Sequence, residues 1–367
     1  MSFTTAQLAS YVGGECCGDQ TVICNGAEID TRRSVQGKVF FALQGKQSDG
    51  HDYLDDAVAG GCSAVVVERS SPLDVPVVVV SNARTALFKL AEARRSELPA
   101  QQVIAVTGSV GKTTTKDLLA HLLGDNTTAS MQSFNNDLGV PLTILDAEEA
   151  TFLVTEIGAN AVGEIKLLAT LVQPDIAILT SLGKAHLEGF GSFETVKNEK
   201  LVLLKSVHEA GVVILPDTID INSNEFSAAI CTVGTSSTAD IQVVTGVNNE
   251  GFAELEINGY TVTLSLMGEH NAMNAALAIV ATSVALQRTG EDPSMQSLLD
   301  AASEVKGATG RLCTFTEGDI TVIDDSYNAN PTSVRSAIQM FSGMTAQRKV
   351  LILGDMLELG DCAHAEH

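Results

Sequence analysis

Positive charge is scarce in this chain. Lys and Arg number 22 against 45 Asp and Glu, a formal net charge of −23. That balance excludes a nucleic-acid backbone as the main partner, because such binding rests on cationic side chains that displace counterions. It favours solubility and says little about fold. No uncharged apolar run is long enough to span a bilayer, so no membrane insertion is expected. The N-terminus lacks a basic stretch followed by an apolar core, so no secretory leader is expected either. The cysteines (Cys16, Cys17, Cys24, Cys62, Cys231, Cys313 and Cys362) are odd in number and form no C-x-x-C pair. Reduced thiols fit this usage, and a zinc site from Cys16, Cys17 and Cys24 is set aside for its poor spacing. A cytoplasmic protein is expected.

One further absence is local. The common phosphate loop reads G-x-x-x-x-G-K-[ST], yet the position five before Gly111 is Val106. What stands there is a shorter form, Thr107-Gly108-Ser109-Val110-Gly111-Lys112-Thr113-Thr114, entered from the apolar run Val103-Ile104-Ala105-Val106 and followed by a helix pattern. Such a turn aims backbone N–H groups and a helix N-terminus at one point, which suits a polyphosphate. Lys112 adds a point charge and Thr113 a hydroxyl for Mg²⁺. The alternative is a glycine turn with no ligand, which the strand-to-helix context argues against. A nucleoside triphosphate is the expected ligand.

The length of 367 residues and 45% hydrophobic content predict two or three domains with real cores. Residues 1–83 open with a threonine-capped helix at Thr4-Thr5 and carry strands at 39–43, 64–67 and 77–80. Residues 84–309 begin with an amphipathic helix over 84–98, then alternate strands (103–106, 152–155, 176–179, 212–215) with helices, which implies a parallel sheet. A hairpin turning at Asn258-Gly259 and an alanine-rich helix over 271–287 follow. Residues 310–367 predict strands at 320–323 and 350–353 with a helix between. That stretch is about half a typical domain, so a truncated third domain is expected. The fold class is α/β.

Several polar residues stand at strand ends, where ligands of parallel sheets sit. Glu156 is a candidate Mg²⁺ ligand, or else a strand-end acid in solvent. His186 follows another strand end, and on chemistry alone a structural role is favoured for it. Lys197 opens an apolar helix, with an ordinary solvated lysine as the default. Asn135 and Asn136, and the cluster His270-Asn271-Ala272-Met273-Asn274, could meet an adenine edge or a sugar. Asn-rich turns are also common helix caps.

Taken in order, these segments resemble the Mur ligases, ATP-dependent amide-forming enzymes of peptidoglycan precursor synthesis, whose phosphate loop has this short form. The resemblance covers essentially the whole chain. It implies three domains: a UDP-sugar domain, a central ATPase domain and a Rossmann-like C-terminal domain present in part. Asp324-Asp325-Ser326-Tyr327-Asn328-Ala329-Asn330-Pro331 is similar to the branch that adds D-alanyl-D-alanine to UDP-N-acetylmuramoyl-tripeptide. The near alternatives are a sibling ligase, a folylpolyglutamate-type ligase, or a binding module without ligase activity. The resemblance further implies that Thr113, Glu156 and His186 hold Mg²⁺ and that Lys197 is carbamylated and supports a second Mg²⁺. It sets His270, Asn271 and Asn274 near adenine, with Arg311 and Asp325 reaching the nucleotide. Asp30, Thr31, Arg32, Phe41, His51, Asn135, Asn136, Tyr327, Asn328 and Asn330 are implied to contact substrate. A monomer is expected.

Overall fold

The computed structural model describes residues 2–98, 102–147, 150–183 and 187–367. Two compact units emerge, one of residues 1–101 with 134–153, the other of residues 102–133 with 154–367.

The first unit opens with helix Thr5–Val12. Thr4 accepts the Gln7 N–H while the Gln7 carboxamide accepts the Thr4 N–H, which satisfies two donors at the helix start. Its five-stranded sheet runs in the order Glu15–Cys17, Val77–Val79, Ala64–Val67, Val39–Phe41, Ala27–Glu28. Only the first of these pairs antiparallel. Helix Ala83–Glu97 packs on Thr5–Val12 and on Gly139–Leu145. Its apolar face (Ala86, Leu87, Leu90, Ala91) is buried in this unit. That packing carries the first unit past residue 83, where the sequence suggests a boundary, and draws in the excursion 134–153.

The second unit rests on a nine-stranded sheet: Tyr260–Met267, Phe252–Ile257, Ile241–Val247, Ala229–Gly234, Val212–Pro216, Ile176–Leu179, Gln102–Thr107, Phe152–Glu156, Thr127–Ala129. From Ile241–Val247 through Gln102–Thr107 the pairing is parallel, and the last hairpin is antiparallel. The parallel strands read as near-continuous Val, Ile, Leu and Ala because both faces are covered; Val103–Val106 and Ile176–Leu179 are fully buried. After Gln102–Thr107 the chain builds strands on one side, then returns to build on the other. The end of Gln102–Thr107 is therefore the switch point where such sheets open a crevice. Asn258 and Gly259 both take positive φ (54° and 81°), as a tight hairpin of this hand requires.

The alanine-rich helix runs Glu269–Arg288 and packs on Lys112–Leu123, the small side chains allowing close approach. In residues 310–367, the hairpin Cys313–Glu317/Ile320–Asp324 and helix Pro331–Gly343 meet Met267 and Phe252 through Leu312, Ile323, Ala337, Met340 and Met344. The strand expected at 350–353 does not form. Val350, Leu351, Ile352 and Leu353 lie in irregular chain, 47–90% exposed. Among the described residues Ile320–Asp324 pairs only with its hairpin mate, and the run 350–353 joins no sheet.

Helix Glu164–Val172 starts at Gly163, which has no side chain to cap it. Buried Glu199 caps it instead, accepting the N–H groups of Gly163 (3.0 Å) and Ile165 (2.9 Å). Glu199→Ala strands those donors and is expected to lower stability by about 1–3 kcal/mol. A urea-unfolding midpoint equal to that of the parent chain would contradict this role.

Candidate active site

The glycine-rich turn is stitched to the end of the neighbouring strand. The Ser109 N–H donates to Ser181 O (3.0 Å) and the Val110 N–H to Ser181 Oγ (2.9 Å). The Ser109 hydroxyl donates to Gly183 O (3.1 Å) and accepts the Gly183 N–H (2.9 Å). The Thr180 and Ser181 hydroxyls both reach Val110 O. Gly108 must be glycine, since its φ is 154° and a Cβ would strike Thr180 Oγ1. These bonds consume the first two amides of the turn. The N–H groups of Gly111, Lys112, Thr113 and Thr114 remain at the helix start, where no intrahelical acceptor exists, the arrangement that suits an anion. Thr107 closes the strand, fully buried.

The Lys112 ammonium donates to Gly108 O at 3.0 Å. Desolvation holds its pKa below the ordinary value against the pull of Glu156, and the Arg311 charge lowers it further. The Thr113 hydroxyl donates to Glu156 Oε2 at 2.8 Å, both residues buried. A hydroxyl and a carboxylate are hard oxygen donors, and with phosphate oxygens and water they fit Mg²⁺. Among the described residues no group of three or more His, Cys, Asp or Glu forms a metal cage. An ion shared with phosphate matches this two-residue set. His186 lies outside the described residues.

Lys197 does not join this site. It is half-buried on helix Phe193–Lys205, on a side where its charge acts on Glu225. Lys200, one turn further along the helix, feels the charge of Lys112. It is 3% exposed, and burial together with the Lys112 charge pushes its pKa down to about 7, against the pull of Glu199. The helix pattern carries the signal: Val196, Lys200, Leu203 and Leu204 share the buried stripe, and Lys197 flanks it.

Asn271 and Asn274 are buried and bonded to each other, while His270 stands exposed in the first helical turn. The Arg311 guanidinium lies 4.1 Å from the Tyr327 ring centroid, and the Tyr327 hydroxyl is 2.6 Å from Ser133 Oγ. Asp325 is pushed up to about 6, chiefly by desolvation, which outweighs the Leu312 N–H and the Arg311 charge; Asp324 adds to the rise. Asn328 bonds its neighbour's amide (Ala329 N–H, 2.9 Å), and Asn330 caps helix Pro331–Gly343 by accepting the Thr332 and Ser333 N–H groups at 3.0 Å. These two asparagines shape the chain locally.

The first unit has its own cleft of about 830 Å³, lined by Asp30, Thr31, Arg32, Lys46, Tyr53 and Arg84 among others. Arg32 grips Asp30 through two nitrogens (2.9 and 2.6 Å), and Arg84 pairs with Asp137. Phe41 is a core residue, fully buried; it is Phe40 that borders the cleft. His51 sits behind the wall. Its Nδ1–H donates to Asp49 Oδ1 (2.7 Å) and its Nε2 accepts the Glu68 N–H (3.1 Å), so both ring nitrogens are occupied. Its own N–H and ring, then Arg69, hold the Asp49 carboxyl well below the usual range. The Asn136 carboxamide oxygen accepts the Leu138 and Gly139 N–H groups ahead of helix Gly139–Leu145, and neither it nor Asn135 lines the cleft.

An anion-binding turn at the switch point of a parallel sheet, with a lysine and a hydroxyl–carboxylate pair, defines a phosphate-loop nucleotide-binding protein. Three family models match: Mur ligase family, catalytic domain, over residues 24–112; Mur ligase middle domain over 106–282; and Mur ligase, glutamate ligase domain, over 310–367. The chain belongs to the Mur ligase family. It is 36% identical to the UDP-N-acetylmuramoyl-tripeptide–D-alanyl-D-alanine ligase of Bacillus subtilis, covering 99% of this chain and 81% of that one. MurF of Acinetobacter baumannii superposes with a TM-score of 0.86 at 33% identity, over 100% of this chain and 82% of that one. MurF of Thermotoga maritima in complex with ADP gives 0.78 at 27% identity, over 93% and 80%.

Lys112→Ala should weaken binding of a non-hydrolysable ATP analogue at least roughly 100-fold, since it removes the one flexible cation within the turn. Calorimetric titration that returned the parent affinity would contradict the phosphate-loop assignment.

Proposed function

We propose that this chain is an ATP-dependent ligase that joins D-alanyl-D-alanine to UDP-N-acetylmuramoyl-tripeptide in peptidoglycan precursor synthesis. The observation that carries the reading is the buried Thr113–Glu156 pair beside Lys112 and Lys200 at the phosphate turn, in a chain similar along its length to enzymes of that name. The N-terminal cleft, with Arg32, Lys46 and Arg84 on its wall, suits the UDP-sugar. No described helix is long and apolar enough to cross a membrane, in keeping with a cytoplasmic enzyme acting on nucleotide-linked precursors.

The chemistry follows from charge. The tripeptide carboxylate attacks the γ-phosphorus, giving an acyl phosphate and ADP. The amides of Gly111–Thr114 and the Lys112 ammonium stabilise the charge on the transferred group and hold it in line. Mg²⁺, which Thr113 and Glu156 would hold with His186, supplies further neutralisation of phosphate charge. The dipeptide amine then attacks the acyl carbon, and the tetrahedral intermediate expels phosphate.

Lys200 is the residue we read as carbamylated. Its neutral amine adds CO₂ and releases one proton, converting an uncharged group into a carboxylate-like anion that would support a second Mg²⁺. Burial and the neighbouring Lys112 disfavour the ammonium, so the nucleophilic amine is available near neutral pH.

Phosphate release with ATP and the UDP-linked tripeptide should depend on added D-alanyl-D-alanine. Binding of all three without turnover would favour a binding module instead. Lys200→Ala should lose at least about 100-fold in activity, partly restored by short-chain carboxylic acids, while Lys197→Ala retains activity. Bicarbonate should stimulate the parent enzyme more as pH rises through about 7, because protonated Lys200 cannot add CO₂. The opposite ranking of the two lysine variants would overturn the assignment.

A further inference from the structure

Gly111 is the pivot of the phosphate turn. It has φ of 86°, stands at the N-cap of Lys112–Leu123, and carries the first of the four helix-start amides. A glycine there is the most mobile residue of the loop unless something else holds it. Asn274, from helix Glu269–Arg288, does so. A Cβ on Gly111 would collide with the Asn274 carboxamide oxygen, so that oxygen fills the volume a side chain would occupy.

The carboxamide is itself fixed. Asn274 Nδ2 donates to Asn271 Oδ1 at 2.8 Å, and Asn271 Nδ2 donates to Met267 O at 2.8 Å, at the end of a sheet strand. Both side chains are 5% exposed. The result is a strut of two amides running from the sheet to the turn. Each carboxamide nitrogen spends one N–H along it, and Asn274 Oδ1 lies against Gly111 of the loop.

We infer that Asn274 is a positioning residue for triphosphate binding, braced by Asn271, that holds Gly111 so the loop amides are aimed before the nucleotide arrives. This assignment rests on the phosphate-loop reading and differs from the adenine contact that the family resemblance implies for both asparagines. A loop brace acts on the phosphates whatever base is attached, and a base reader acts on the base alone.

The test compares ATP, inosine triphosphate and inorganic tripolyphosphate on the whole chain. Asn274→Ala should raise KM for both nucleotides and the Kd of tripolyphosphate by a common factor of about 10, leaving the ATP-to-inosine triphosphate ratio unchanged. Asn271→Ala, which removes the brace but not the contact, should shift the same three quantities in the same direction, and the double variant should fall short of the product of the two. That second variant keeps the test decisive if Asn274→Ala folds poorly. A changed base ratio with tripolyphosphate binding intact, or no change in any of the three, overturns the proposal. Lys112→Ala serves as the control: if it too leaves tripolyphosphate binding intact, the phosphate-loop reading itself has failed.

Discussion

The structure depends on the seam between the phosphate turn and residues 180–183. Strand Gln102–Thr107 delivers the turn to the sheet's switch point, but the strand alone does not fix its shape. The Ser109 and Val110 bonds to Ser181 and Gly183 do that, at 2.9–3.1 Å. By spending the early amides on a neighbouring strand, the short loop leaves only the helix-start amides for a ligand. A longer loop wraps phosphate with more of its backbone. This one compensates with rigidity, because the Gly108 and Val110 carbonyls and the Ser109 hydroxyl are already bonded within the protein.

A protein of net charge −23 must make its anion site locally positive. Lys112, Lys200 and Arg311 act on one small region: desolvation is the main cause of the lowered pKa values of the two lysines, and repulsion adds to it, from Arg311 on Lys112 and from Lys112 on Lys200. An anionic ligand relieves that repulsion and favours the charged form of both lysines. Replacing Lys200 by carbamate would relieve it in another way, by exchanging a buried cation for an anion.

Much of this was legible in sequence. The strands around the phosphate turn, the capped first helix and the Asn258-Gly259 hairpin follow from periodicity and turn chemistry, which are local. The Thr113–Glu156 pair followed from placing a carboxylate at the end of a neighbouring strand. What failed was decided by tertiary context. Lys197 and Lys200 are three residues apart on one helix, and only the buried stripe tells them apart. Phe41 and Phe40 point to opposite faces of a strand, so a motif naming one gave no hint of which borders the cleft. The family resemblance implied His51 and Asn136 as substrate contacts, yet in the structure both bond backbone or neighbouring side chains. The apolar run at 350–353 had the composition of a strand but joins no sheet among the described residues.

The account's central claim is that ATP is used to activate a carboxylate. It is tested most directly by labelling the terminal tripeptide carboxylate with ¹⁸O and following the label through turnover with ATP and D-alanyl-D-alanine. The account predicts that a single labelled oxygen appears in the released phosphate for each amide bond formed, because that oxygen bridges carbon and phosphorus in the acyl phosphate. Product formed with unlabelled phosphate would contradict it.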